Sequence, residues 1–532
     1  MEQPSEVDVV IVGAGFAGLY MLHRCRQRGL TARVVEAGDD VGGTWYWNRY
    51  PGARCDVESL EYSYGFDDAL QQEWEWTERY AGQPEILRYL QHVAERFDLR
   101  RDITFGARVT AAVLDEATGT WTVSLDPGGA VTASFVVMAT GCLSSANVPD
   151  LPGAASFTGP TYHTGRWPHE GVDFTGQRVG VIGTGSSAVQ SIPLIAEQAA
   201  HLTVFQRTPT YTVPAWNGPL DPAEQAAVKA DYAGLRAANR AMFSAFGGRI
   251  PRRDQAARDA TEEELDAEYE RRWALGGLPF LAAFNDLLLD PVANETARRF
   301  VIGKLREIVH DPTVADRLTP DHVIGCKRLC VDSGYWATFN RPNVTLVDLR
   351  ETPIETLTPT GIRTTAADHD LDAIVYATGF DAMTGALSRI DVRGRGGQPL
   401  GEAWAAGPRT YLGLMTHGFP NLFLVTGPGS PSVLANMIEA IQQHVEWIDR
   451  CLGDLAADGL QQIDADADAQ DAWVDHVNGV AGATLFPTCS SWYLGANVPG
   501  KTRVFMPLAG FPPYVEVCEQ VVADGYRGFR RR

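Results

Sequence analysis

Two short glycine turns carry the clearest chemistry in this 532-residue chain. The first, Gly13-Ala14-Gly15-Phe16-Ala17-Gly18, follows the apolar run Val7 to Val12 and opens a helix of apolar periodicity. In such a turn the first glycine permits the tight bend, the second lets backbone approach a pyrophosphate, and the third allows close helix–strand packing. The helix N-terminus then presents free N–H groups to the phosphates. Glu36 ends the next strand 23 residues after Gly13, where a carboxylate can accept hydrogen bonds from ribose hydroxyls. The second turn is Gly183-Thr184-Gly185-Ser186-Ser187-Ala188, after Val179 to Ile182. The same count of 23 residues from Gly183 reaches the uncharged Gln206, followed by Arg207 and Thr208. Without an acid, a 2′-phosphate is not repelled, and an arginine offers it a bidentate partner. Thr208 could add a hydroxyl donor. Taken alone, Arg207 also fits a solvated strand end. The first site thus reads ribose and the second a 2′-phosphate, for which a flavin dinucleotide and NADPH are the natural pair.

Two βαβ units must hold these turns. In the first, Ala32 to Val35 supplies the second strand; the second begins at Arg178. Val136-Val137-Met138-Ala139-Thr140-Gly141 and Ile374-Val375-Tyr376-Ala377-Thr378-Gly379 share a strand-then-Ala-Thr-Gly pattern, each downstream of a glycine turn. Each would close a dinucleotide domain. Gln83 to Phe97 reads as helix, with Pro84 in its first turn, and three β-rich runs between Asp102 and Met138 read as a meander. Gly141 to Gly176 is rich in Gly, Pro, Ser and Thr, as a connection between domains would be. From about Leu220 to Asp316 the spacing is helical, with a capping box at Thr261-Glu262-Glu263-Glu264 and an N-cap at Asn294. A further helix is expected from about Ser432 to Leu452. The fold class is α/β: two Rossmann-like dinucleotide-binding domains with a helical insertion. Residues 1–140 and 381–532 form the flavin domain, the latter with a C-terminal mobile loop. Residues 141–221 and 323–380 form the NADP domain, and 222–322 the insertion.

Composition narrows the class. A formal charge of -21 repels polyanions, so nucleic acid and anionic membrane are poor partners. Eight cysteines spread over this length suit reduced thiols in a cytosol rather than a disulfide framework. No secretory signal is visible at the N-terminus, and no apolar run approaches the roughly 18 to 20 residues that span a bilayer. The expectation is a cytoplasmic protein, monomeric or weakly homo-oligomeric, with no metal site.

Phe157-Thr158-Gly159-Pro160-Thr161-Tyr162-His163-Thr164-Gly165-Arg166-Trp167-Pro168 matches a fingerprint of the form FxGxxxHxxxW(P/D). Gly42-Gly43-Thr44-Trp45, continuing through Tyr50-Pro51-Gly52-Ala53-Arg54-Cys55-Asp56, matches GGxWxxxxYPGxxxD. In both the chain resembles the type I Baeyer–Villiger monooxygenases, and the likeness covers nearly its whole length. It implies an enzyme that uses FAD, NADPH and O2 to convert ketones to esters or lactones through a C4a-peroxyflavin. The anionic oxygens of such a reaction need a cation that never loses its proton, a demand arginine meets.

The resemblance assigns that role to Arg328, in Gly325-Cys326-Lys327-Arg328-Leu329-Cys330, and makes Asp56 the carboxylate that orients it. By residue type alone, Lys327-Arg328 is a surface turn and Asp56 a turn residue. Thr44, Trp45, Tyr46, Trp47, Tyr62, Val109 and Met437 are implied to contact flavin, although the aromatic run equally suits a core cluster. Arg54, Cys55, Gln190, Lys327 and Trp492 are implied to contact NADP, with Trp492 closing over the nucleotide from Ser491-Trp492-Tyr493-Leu494-Gly495-Ala496-Asn497. Ser430, Pro431, Ser432 and Leu434 are implied to line the substrate pocket. His163 lies in the connection between domains, so a conformational role is preferred to that of a general base. Cys326 and Cys330 read as ordinary thiols. A heteroatom-oxidising flavin monooxygenase would share both glycine turns, but Trp167-Pro168 and Lys327-Arg328 argue against it. A disulfide reductase would need a redox cysteine pair beside the flavin, and Cys25 and Cys55 lack that spacing. A non-catalytic flavin- or NADPH-binding protein is the reading outside enzymology.

Overall fold

The run Val7 to Val12 lies in the strand Ser5–Val12, which has parallel neighbours on both sides: Val9 faces Ala32 across one ladder and Phe135 across the other. A strand covered in this way must be apolar on both faces, and Val9, Val10 and Ile11 have no exposed surface. The computed structural model describes residues 5–495 and 509–532. Around Ser5–Val12 an eight-stranded sheet is built. Ala32–Val35 and Ile103–Thr104 lie to one side, and Ala130–Met138 to the other. The expected meander is Arg108–Asp115, Thr120–Asp126 and Ala130–Met138, paired antiparallel. Late segments return to this sheet: Asp391–Arg393 pairs with Arg108–Asp115, and Leu422–Leu424 with Ala130–Met138.

The second sheet has five parallel strands in the order Val344–Asp348, His201–Gln206, Arg178–Ile182, Ala373–Tyr376, Thr161–His163. Its last strand comes from the Gly- and Pro-rich stretch expected to be connection alone. The backbone there meets the free edge of Ala373–Tyr376, with His163 opposite Tyr376. Between the halves of this second unit, helices Pro222–Ala230, Tyr232–Arg240, Glu262–Leu275, Pro291–Ile308 and Pro312–Leu318 form the insertion. The capping box at Thr261 is formed in both directions: Glu264 N–H donates to Thr261 Oγ1 and Thr261 N–H to Glu264 Oε2.

Asn294 is not an N-cap. Pro291 fits the first turn, so the helix starts earlier and is capped by Asp290, which accepts from the N–H groups of Val292 and Ala293. Buried Asn294 instead donates to the carbonyls of Leu287 (2.7 Å) and Ile324 (2.9 Å) and accepts from Ile324 N–H (3.1 Å). It thereby ties the insertion to the strip that leads into Arg328. The helix expected from Ser432 is split: a 3-10 turn, Ser432–Leu434, precedes the helix Met437–Ala457, whose first turn is capped by Asn436. Among the described residues no helix is long and apolar enough to cross a membrane.

His444, fully buried on that helix, ties the segment at Thr426 to the C-terminal helix Phe511–Ala523. Its Nδ1 accepts from Thr426 N–H (3.0 Å), so the ring hydrogen is on Nε2, which donates to the Tyr514 hydroxyl (2.7 Å). Tyr514 in turn donates to the carbonyl of Leu412 (2.6 Å). Burial pushes the imidazole down to about 4, because a second N–H would face Thr426 N–H with no water to relieve it. The folded value lies below the unfolded value of about 6.5, so this contribution is complete above pH 6.5 and is lost as pH falls towards 4; it amounts to about 3 kcal/mol. We expect the thermal midpoint to fall over this window, and His444→Leu, less stable at pH 7, to lose less of its remaining stability across it. Parallel pH–melting curves for the two proteins would refute the assignment.

Candidate active site

Both glycine turns pack against their own Ala-Thr-Gly segments. Gly13 adopts φ 104°, and a Cβ there would stand 2.6 Å from the carbonyl oxygen of Ala139. Gly183 adopts φ 114°, with Ala377 in the same relation at 2.4 Å. The repeat legible in sequence is therefore a repeat of contact: each strand-ending segment lies across its turn and leaves no room for a side chain. Helices Phe16–Arg28 and Ser186–Gln198 start at Gly15 and Gly185 with no side-chain cap and no acid in the first turn. Their first N–H groups face one continuous cavity of about 1590 Å³. Single small-molecule sites occupy about 300–1,000 Å³, so this volume suits more than one ligand.

At one end lies Glu36, buried, with its carboxylate held by the N–H groups of Ala14 (2.8 Å) and Gly38 (2.7 Å). At the corresponding place in the second half, Gln206 is turned inward and donates to the carbonyl of Arg317. The next residue, Arg207, faces the cavity with Thr208 and Lys327. Burial, and then the neighbouring Arg207, hold the Lys327 ammonium below its usual range. Neither cation has an acidic ion-pair partner among the described residues. Two adjacent cations facing a cavity repel each other until an anion lies between them.

Arg328 lies deeper in the same cavity. Asp56 grips it in a bidentate pair, Nε at 2.9 Å and Nη2 at 2.8 Å, while Nη1 donates to the carbonyl of Val433 at 2.9 Å. Buried Tyr493 lies near the pair. Burial would lower the guanidinium pKa, but Asp56 outweighs it, so the group stays well above its ordinary value. Asp56 is itself placed by a clasp between the halves. Gln190, on the second-half helix, accepts from the Tyr50 hydroxyl (2.8 Å) and donates to the carbonyl of Arg54 (3.1 Å). Gly52 passes so close to Gln190 that a Cβ would come within 2.3 Å of its carbonyl oxygen.

Most of the residues expected at the site meet in this one cavity: Gly13, Gly15, Ala17, Thr44, Trp45, Trp47, Arg54, Cys55, Asp56, Tyr62, Val109, Gly183, Thr184, Gly185, Ser186, Ser187, Gln190, Met437 and Trp492 line it. Gly18 and Ala188 do not, and pack within their units as the turn geometry requires. Tyr46 also faces away, its hydroxyl donating to Asp39, so the aromatic run divides between cavity and core. Ser430, Pro431, Ser432 and Leu434 are buried behind the wall; Val433 and Ala435 line it instead. In the tight turn Ser432–Leu434, Ser432 points inward, with its hydroxyl against Met383 Sδ (3.5 Å). Of the segment Ser491 to Asn497, Ala496 and Asn497 lie outside the described residues.

His163 does not line the cavity. Its Nδ1 accepts from Gly165 N–H (2.9 Å), which leaves Nε2 to donate towards the carbonyl of Asn147 (3.3 Å). Burial lowers its pKa, so the ring is a neutral tie within the connection between the halves. Cys326 is not an ordinary thiol: it is joined to Cys489 across 163 residues of sequence, a distance over which spacing gives no warning. The remaining six cysteines are free and buried, Cys330 among them. No cluster of His, Cys, Asp and Glu that could hold a metal occurs among the described residues.

Residues 10–230 match the pyridine nucleotide-disulphide oxidoreductase family. Within that span Cys25, Cys55 and Cys142 are unpaired, and burial raises the pKa of each thiol, so no dithiol of a disulfide reductase is present. A Baeyer-Villiger monooxygenase of Pseudooceanicola batsensis is 42% identical over 532 residues, covering 99% of this chain and 96% of the relative. Among solved structures, oxidized steroid monooxygenase bound to NADP has a TM-score of 0.94 at 55% identity, covering 99% of both chains. OTEMO in complex with FAD and NADP has a TM-score of 0.96 at 40% identity over the whole of both chains. The chain belongs to the type I Baeyer–Villiger monooxygenases, the FAD-containing, NADPH- and O2-dependent enzymes that convert ketones to esters or lactones.

Proposed function

We propose that the cavity divides between its cofactors by charge, and that Arg328, fixed by Asp56, is the catalytic residue of ketone oxygenation. The N–H groups behind Gly13 and Gly15, with Glu36, hold the FAD pyrophosphate and ribose. Trp45, Trp47, Tyr62, Val109 and Met437 enclose the flavin. Gly183 to Ser187 hold the NADPH pyrophosphate, and Arg207, Thr208 and Lys327 its 2′-phosphate; Arg54, Cys55, Gln190 and Trp492 complete that side. The residues fit these groups because the cavity offers N–H donors and unpaired cations where phosphates would lie. On this reading residues 1–140 and 381–532 serve flavin, 141–221 and 323–380 serve NADP, and 222–322 are an insertion. The enzyme works in the cytoplasm as a monomer or weak homo-oligomer, without a nucleic-acid partner.

When bound, the flavin supplies one atom of dioxygen to the ketone carbonyl at the expense of NADPH. Overall, ketone, O2, NADPH and a proton give ester, NADP+ and water. Negative charge gathers on oxygen during that transfer. The observation that carries the assignment is the Asp56-held guanidinium, cationic at every working pH and open to the cavity. A lysine could not accept the bidentate grip and would be less firmly oriented. Preorganised donors of this kind are worth about 3 kcal/mol each.

Arg328→Ala is expected to bind flavin and be reduced by NADPH, yet to form ester at least about 100-fold more slowly. Ester yield near that of wild type, measured by product identification on a ketone panel, would remove Arg328 from this role. Arg207→Ala should raise KM for NADPH by about 10- to 100-fold and leave KM for NADH nearly unchanged. Equal rises for both nucleotides would contradict the 2′-phosphate assignment.

A further inference from the structure

Ser490, Ser491 and Trp492 form one stretch of the cavity wall, and Lys327 and Arg328 form another. A covalent bond joins the two: Cys489, directly before Ser490, is disulfide-bonded to Cys326, directly before Lys327. The first stretch is otherwise loosely tied. Upstream, Leu485 N–H donates to the carbonyl of Leu288 at 2.9 Å. Beyond that anchor, among the described residues, the backbone hydrogen bonds of residues 488–495 stay within residues 485–495. Side-chain packing adds to them: Phe486 and Tyr493 meet edge-on (centroids 5.9 Å apart) in the apolar cluster of Cys142 and Val433. The other six cysteines are free and buried, so disulfides do not brace the fold elsewhere. The bond stands where two parts of the cavity wall meet and backbone pairing does not join them.

We propose that the Cys326–Cys489 bond is a redox latch on nucleotide binding. Closed, it holds Ser490 to Trp492 against the strip that carries Lys327 and Arg328; opened by a dithiol, it frees that wall and weakens the hold on NADP(H). In a compartment that keeps thiols reduced, a disulfide is as a rule transient and redox-sensing. The two ends differ in access: Cys326 has no exposed surface, whereas Cys489 is half-buried. The thiolate of a dithiol therefore attacks Cys489 Sγ, the S–S bond breaks, and Cys326 leaves as thiolate and takes up a proton. The second thiol of the reductant then displaces Cys489 and closes the reductant's own disulfide. Two electrons and two protons have passed to the protein. A disulfide oxidant reverses the exchange and leaves as two thiols. With the latch open, the wall is held by apolar packing alone, and part of the ordering that the bond maintained must be met when the nucleotide binds.

The inference rests on the nucleotide reading of Trp492 and Lys327 above. The test uses the flavin-loaded enzyme, treated with oxidised glutathione or with dithiothreitol and then freed of reagent. Of the eight cysteines, six should titrate as thiols in denaturant after oxidation and all eight after reduction, with a peptide map joining Cys326 to Cys489 in the oxidised form. Kd for NADP+ should be about three- to tenfold higher in the reduced enzyme, the scale of one large side chain to be ordered again. Reoxidation should restore it, and bound flavin should be the same in both states. Cys489→Ser should bind NADP+ as weakly as the reduced enzyme and respond to neither reagent. Equal affinity in the two states, or eight thiols after oxidation, would overturn the latch and leave the nucleotide reading intact. A fall in bound flavin that matches the loss of affinity would also overturn it, since that pattern marks a general brace. Failure of NADP+ to bind in either state would instead sink the nucleotide reading, and the latch with it.

Discussion

An arginine kept charged inside a largely apolar cavity is the constraint around which the rest of this structure is arranged. Burying a lone guanidinium is costly, and it is tolerated here because Asp56 shares the burial and accepts from two of its nitrogens. The pair is not a device for stability, since two apolar residues could pack the same space at no loss. Its value lies in direction: a bidentate pair fixes the guanidinium plane, and a carbonyl at Val433 fixes its rotation within that plane. Asp56 and Arg328 are 272 residues apart, so the folding of both halves is a precondition for the site.

That dependence explains how much of the structure is spent on holding the halves in register. Gln190 reaches across to Tyr50 and Arg54, and Gly52 lies flat against its helix. His163 and Thr378 both meet the carbonyl of Asn147, which gathers the connection, the edge strand and the second Ala-Thr-Gly segment at one point. Asn294 performs the same task for the insertion at Ile324, just ahead of the strip that carries Arg328. None of these residues needs to touch a reacting atom to matter. A shift of the second half relative to the first would separate Asp56 from Arg328 before it disturbed either glycine turn.

The parts legible in the sequence are those governed by local rules. A β-branched run buried on both faces, a glycine forced to positive φ, an acid or an arginine 23 or 24 residues later, and Thr-x-x-Glu before a helix each express a constraint that acts within about 30 residues. What escaped depends on neighbours remote in sequence. Thr161–His163 is a strand because an unpaired edge was waiting for it. Cys326 pairs with a cysteine 163 residues away. Val433 serves through its carbonyl, about which its side chain says nothing. Within Ser430 to Ala435 a tight turn, rather than a regular helix, decides which of Ser432, Val433 and Leu434 faces the cavity. Asn294 was misread for the opposite reason: a local rule favoured a cap, and Pro291 had already set the start of the helix.

Charge behaves in the same two-scale manner. The chain carries a formal charge of -21, yet its family consumes NADPH, itself a polyanion. At physiological ionic strength charges are screened over about 8 Å, so carboxylates scattered over the surface contribute little at the binding cavity. Arg207 and Lys327 face that cavity, neither has an acidic ion-pair partner among the described residues, and the pull of Asp321 on Lys327 is outweighed by burial and by Arg207. The total charge therefore acts through solubility, whereas in the proposed assignment recognition of a phosphate falls to two side chains and to Gln206 standing where the first half has Glu36. A carboxylate in place of Gln206 would face inward, towards the carbonyl of Arg317, and could not be satisfied there; the same burial that hides the amide also keeps an acid out of the site.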